Sequence, residues 1–157
     1  MSSLKNNSCN SCPKIRAIIS NLQPVTNQPI ILFDGICNLC NSSVQHVIKH
    51  DPKAVFKFAF LQGETGQQLL KQYDLSANDM NSFMLIQDNK AYTRSTAALF
   101  VAKRLTGISK LLYGFIIVPL FIRNVVYNII AKNRYKWFGK KDSCMIPTAY
   151  LQSRFLN

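Results

Sequence analysis

The chain has 157 residues, 48% of them apolar, and a mean hydropathy of +0.02. That suits one globular domain and excludes a wholly disordered chain, which would be more polar and poorer in aromatics. Nineteen Lys and Arg against seven Asp and Glu leave a net charge of +12, which favours anionic partners without deciding the fold.

Residues 1–28 are rich in Ser and Asn, contain no acid, and read as a flexible leader. The same acid-poor character resembles an organellar transit peptide, so import is a second reading beside a cytoplasmic location. Order is predicted to begin at Ile30, where Ile30 to Phe33 forms a short continuous apolar run, the pattern of a strand buried on both faces. Asp34-Gly35 turns the chain, and a helix follows from about Cys37 to His50, with Cys40, Val44, Val47 and Ile48 on one stripe. Asp51-Pro52 ends it. Val55 to Phe60 alternates as a second strand, and Glu64 to Tyr73 reads as a helix with Leu69, Leu70 and Tyr73 inward. Ser82 to Gln87 and Lys90 to Thr93 flank Asp88-Asn89, a hairpin turn signal. Ser95 is expected to cap a third helix through about Leu105, with Ala98, Leu99, Ala102 and Leu105 buried and Gly107 as its stop.

The order strand, helix, strand, helix, hairpin, helix predicts an α/β core over 29–107, a mixed four-stranded sheet flanked by helices. Residues 108–157 are predicted to form a helical C-terminal extension packed on that core. Within it, Leu111 to Val118 and Pro119 to about Lys132 read as two helical stretches. The apolar face of the second, Ile122, Val125, Val126, Ile129 and Ile130, is expected to be buried in a helical hairpin. A membrane-surface amphipathic helix is the competing reading. The longest apolar run, Leu111 to Ile122, is twelve residues and interrupted by Gly and Pro, too short for a span of roughly 20.

Cysteines stand at 9, 12, 37, 40 and 144. An odd count argues against a secreted disulfide framework, and two Cys-x-x-Cys pairs point to redox chemistry or metal binding. Cys37 and Cys40 fall in the first turn of the predicted helix, so both side chains lie on one side with Cα atoms about 5–6 Å apart, within disulfide reach. The free N–H groups and dipole of a helix N-terminus favour a negative sulfur, and the thiolate is the nucleophile. Cys37, nearer the helix start and solvent, is assigned as the attacking thiol. Cys40, on the stripe with Val44 and Val47, is expected to be the more buried and to act as the resolving thiol. Asp34 has two readings: proton carrier for Cys40, or turn former and cap. His46 and His50 lie about 180° and 140° around the helix from Cys37, so neither suits a general base for it.

Asp34-Gly35-Ile36-Cys37-Asn38-Leu39-Cys40 resembles the signature of the DCC family of thiol-disulfide oxidoreductases, named for its Asp and two Cys. The resemblance continues through Tyr92-Thr93-Arg94-Ser95, Asn133-Arg134-Tyr135-Lys136-Trp137-Phe138-Gly139 and Cys144-Met145-Ile146-Pro147, covering about residues 29–150. It implies a thioredoxin-like fold and a dithiol–disulfide activity at Cys37 and Cys40. An unidentified thiol or disulfide substrate and a reducing partner are expected with that activity, and no cofactor. Thioredoxins and glutaredoxins place a cis-proline before the strand facing the Cys pair. The corresponding stretch here, Asn81-Ser82-Phe83-Met84, has none, which argues against a peptide-like substrate held at that backbone.

Three competing readings remain. Cys9 and Cys12 with Cys37 and Cys40 could supply four thiolates to zinc, although the 24 residues between the pairs exceed the common spacings. The basic, aromatic segment Lys132 to Lys141 could hold single-stranded nucleic acid, a reading disfavoured against packed aromatics and solvated bases. Cys144, beside Lys140 and Lys141, is either a third thiol at the site or a buried small hydrophobe.

Overall fold

The computed structural model describes residues 28–75, 83–140 and 149–156 of the chain. Its elements are β1 (Ile30–Phe33), α1 (Asn38–His50), β2 (Lys57–Phe60), α2 (Glu64–Gln72), β3 (Met84–Gln87), β4 (Lys90–Thr93), α3 (Arg94–Arg104), a 3₁₀ helix (Gly107–Ile117), α4 (Leu120–Phe138), a short α5 (Ala149–Gln152) and β5 (Phe155–Leu156). The strands form one mixed sheet in the order β4-β3-β1-β2-β5. β1 runs parallel to β2, with Ile31 opposite Phe58, and antiparallel to β3, with Ile31 opposite Leu85. This is an α/β architecture consistent with a thioredoxin-like fold.

The continuous apolar run of β1 is explained by burial on both faces. Ile31 and Phe33 point to one side, with Val44 and Val47 of α1 and Ala97 and Val101 of α3. Ile30 and Leu32 point to the other, with Leu69 and Leu70 of α2. The β3–β4 turn places Asp88 and Asn89 at φ 51° and 57°, the left-handed geometry that suits a tight hairpin. Gly66 lies so close to β2 that an added Cβ would stand 2.0 Å from the Phe60 carbonyl oxygen.

Three expectations are corrected. The sheet has five strands, not four, because β5 returns from the C-terminus to pair parallel with β2, Phe58 opposite Phe155. The extension is therefore not wholly helical. Its last strand is anchored by Arg154, which donates to Asp51 at 2.5 Å and to the Phe56 carbonyl, while Asp51 accepts the Val55 and Phe56 N–H groups at the end of α1. Second, Ser95 does not cap α3. Thr93 holds the N-cap position, and the buried Ser95 hydroxyl donates instead to Asn124 on α4 at 2.6 Å. Ala98 is exposed, and Ala97 and Val101 take its place in the core.

The third correction concerns 108–131. The helices form, but the apolar face of α4 is not buried: Ile122, Val125, Val126, Ile129 and Ile130 are all exposed. The opposite face packs inward and is polar. Asn124 meets Ser95, the Tyr127 hydroxyl accepts the Phe83 N–H, and Arg134 reaches Asp34. Buried polar groups demand partners, and these fix the rotation of α4.

Candidate functional site

The site lies where β1 ends and α1 begins. Asp34 follows the last residue of β1 and is buried. Its Oδ1 accepts the Ile36 N–H at 3.1 Å, the side-chain-to-backbone bond that forms the turn. Gln62 links the two sides of the turn: its Nε2 donates to Asp34 Oδ1 at 2.7 Å and its Oε1 accepts the Gly35 N–H. Asn41, one turn into α1, donates to the Gly35 carbonyl at 2.9 Å. Cys37 is thereby held as the N-cap of α1, with φ −83° and ψ 121°. Its Sγ accepts the Cys40 N–H at 3.4 Å, so one of the free first-turn donors is turned onto this sulfur. Both thiols are free.

The second half of the site comes from α4, a hundred residues along the chain. Arg134 Nη2 donates to Asp34 Oδ2 at 2.9 Å in a buried ion pair. The Tyr135 hydroxyl donates to the same oxygen and accepts from Arg134 at 2.8 Å. Lys140 Nζ lies over the Tyr135 ring, 4.3 Å from its centre. Past the helix, Gly139 turns the chain at φ +76°, and Lys140 forms a backbone bridge with Cys37. Asn38 secures this crossing by donating to the Phe138 carbonyl at 2.9 Å.

The electrostatics follow from these contacts. Burial alone would raise the Asp34 carboxyl; hydrogen bonds from Tyr135, Gln62 and the Ile36 N–H, with the Arg134 charge, outweigh it and hold the group below its usual value. Tyr135 is pushed up, by burial first and then by its bond to Asp34. Cys40 is pushed up to about 12, by burial first and then by its hydrogen bond to Cys37 and the charge there.

The burial order expected for the two thiols is reversed. Cys37 is 0% exposed beneath the 138–140 crossing, whereas Cys40 is only partly buried. Cys40 lines an apolar cleft of about 440 Å³ together with Phe83, Val101, Leu112, His46, Ser109 and Tyr127. His46 bonds Ser109 at 2.7 Å and stacks on His50, rings 4.1 Å apart. Asp34, Cys37 and Cys40 are therefore brought together as expected. Gln62, Asn41, Arg134 and Tyr135 complete the site; the last two stand in the Asn133 to Gly139 stretch, and the signal for them is that a carboxylate at a buried strand end needs a cation. Cys9, Cys12 and Cys144 lie outside the described residues. Among those described, no cluster of three or more His, Cys, Asp or Glu is arranged to hold a metal.

A family profile described as DCC1-like thiol-disulfide oxidoreductase matches residues 31–140. The chain is similar to YuxK of Bacillus subtilis (strain 168), 50% identical over 127 residues, covering 81% of this chain and 93% of that protein. It is also similar to a chloroplastic DCC family protein of Arabidopsis thaliana, 38% identical over 118 residues, covering 74% of this chain and 69% of that one. No solved structure matches the chain.

Proposed function

The chain belongs to the DCC1-like thiol-disulfide oxidoreductase family, and on that premise we propose that it exchanges electrons with thiol and disulfide partners through Cys37 and Cys40. The observation that carries the reading is the Cys40 N–H turned onto Cys37 Sγ at the start of α1, which places the two sulfur-bearing side chains together at the helix N-terminus. Cys37 is the attacking sulfur. Its thiolate displaces one sulfur of a substrate disulfide, which leaves as a thiolate and takes a proton from water. Cys40 then attacks Cys37 Sγ, its proton passing through water to the departing substrate sulfur, so that the Cys37–Cys40 disulfide closes and the second substrate sulfur leaves as a thiol. A thiol or dithiol reductant restores the pair by the reverse exchange.

Asp34 is a positioning residue in this scheme. Its oxygens accept from Ile36, Gln62, Arg134 and Tyr135 and its pKa is lowered, so it is poorly suited to carry a proton at neutral pH and well suited to fix the turn. Access to Cys37 requires the backbone bridge to Lys140 to open. The apolar cleft beside Cys40 suits an apolar group flanking the substrate sulfur. The Phe83 N–H, just before β3, is already taken by Tyr127, which fits a substrate bound through that cleft rather than as an added strand.

Redox titration in glutathione buffers, with the disulfide mapped by mass spectrometry, tests the proposal. A two-electron transition within the range of about −270 to −120 mV spanned by related dithiols, ending in a Cys37–Cys40 bridge, is expected. Cys40→Ser should trap a mixed disulfide on Cys37. An oxidised, folded protein whose Cys37 and Cys40 remain unjoined would end the reading.

A further inference from the structure

We propose that the face formed by the 3₁₀ helix and α4 is a docking surface for an anionic lipid bilayer. Every exposed large hydrophobic side chain found among the described residues lies between Ile108 and Phe138. Phe121 is 71% exposed, Val125 56% and Ile117 87%, values at which apolar side chains stand in water with nothing of this chain's described core against them. On α4 they recur as Phe121, Ile122, Val125, Val126, Ile129 and Ile130, one continuous stripe at helical spacing. The reverse side of the helix is committed to polar contacts with Ser95, Phe83 and Asp34. Turning the stripe inward would break them, so its exposure is built into the packing.

Charge selects the occupant. From Asn89 to Lys141 the sequence holds eleven Lys and Arg and no Asp or Glu. Of these, Lys103, Arg104, Lys110, Lys132, Lys136 and Lys140 are exposed. A second copy would bring the same acid-free surface, on a chain of net charge +12, against itself. An anionic bilayer offers both complements: apolar depth for the stripe and lipid phosphates for the flanking lysines. No described helix is long and apolar enough to cross a membrane, so α4, about 28 Å long at 1.5 Å per residue, lies in the surface rather than through it. Trp137, at the end of α4 and 56% exposed, is of the residue type that settles at the interface.

The test uses the full chain and vesicles of phosphatidylcholine alone or with phosphatidylglycerol, read by co-sedimentation and by the emission of Trp137, the single tryptophan. Binding to the anionic vesicles with a blue shift is expected, with little binding to the neutral ones. Binding should weaken sharply between about 0.1 and 1 M salt, as the Debye length falls from about 10 to 3 Å. The double variant Phe121→Asp, Val125→Asp alters only exposed positions and should bind about tenfold more weakly or worse, with far-UV circular dichroism unchanged. Absence of binding to anionic vesicles overturns the proposal, as does binding that the double variant leaves intact. A concentration-dependent dimer abolished by the double variant, with no vesicle binding, also overturns it and assigns the face to a second copy. The redox titration of Cys37 and Cys40 is independent of all these outcomes.

Discussion

Helices α1 and α4 meet at Asp34 and follow opposite rules. α1 buries Val44 and Val47 against the sheet and shows Ser42, Ser43 and Gln45 to solvent, the ordinary arrangement for an amphipathic helix. α4 shows its valines and isoleucines to solvent and presents Asn124, Tyr127 and Arg134 to the body of the protein. The adhesion of α1 is thus spread over many apolar contacts. That of α4 is concentrated in a few polar ones, the strongest at the site itself. A helix held in this way is sensitive to single substitutions and to pH, and its free face remains available to another surface.

The largest expected effect follows from Arg134. Arg134→Ala leaves Asp34 buried without its cation, a loss of about 3–5 kcal/mol. Val47→Ala in α1 should cost about 1–3 kcal/mol. Urea unfolding of both variants tests the contrast; if Arg134→Ala proves the milder change, α4 is not held chiefly through Asp34. The same variant should loosen the crossing over Cys37 and quicken its alkylation, because residues 138–140 follow directly from the helix it frees.

Acid separates the two helices in the wild-type chain. The Asp34 carboxyl is held below its usual value of 3.8, so its contribution to stability is present in full above that pH and is lost as pH falls through the folded value. The apolar contacts of α1 carry no such dependence. Fluorescence anisotropy of Trp137 on α4 should therefore fall at a higher pH than the far-UV signal of the whole fold as the protein is acidified. Coincident transitions would show that the two helices unfold as one unit. At the alkaline end the sign reverses: Cys40, pushed up to about 12, stabilises the reduced fold below the ordinary thiol value of 9.0, and that contribution is lost as pH rises through 12.

The same contrast explains what could be read from the residues alone. The sheet from Ile30 to Thr93, the hairpin at Asp88-Asn89 and the Cys37–Cys40 helix start were legible because their patterns are local: apolar runs, turn residues and a fixed three-residue spacing. β5 was not, since two residues have no periodicity and its pairing depends on Arg154 finding Asp51 across 103 positions. The rotation of α4 departs from the sequence pattern because an apolar stripe ordinarily faces inward, and only the partners Ser95, Phe83 and Asp34 reveal that the polar side wins here. The burial of Cys37 was hidden for the same reason. Nothing near it in sequence announces that Lys140 will cross above it.

The smallest effect tests the middle of α4. Tyr127 accepts the Phe83 N–H at 2.8 Å, and Tyr127→Phe removes the acceptor while keeping the ring. The loss should be about 0.5–1.5 kcal/mol, well below that of Arg134→Ala, since no buried charge is stranded. Because Tyr127 and Phe83 both line the cleft beside Cys40, the variant should also free the Phe83 N–H for a substrate backbone. Turnover of peptide disulfides should then rise relative to that of small apolar ones, measured as a ratio of kcat/KM values. A stability loss with no change in that ratio would make Tyr127 a fastener of α4 alone, and would separate the cleft from the backbone before β3 as determinants of what reaches the thiols.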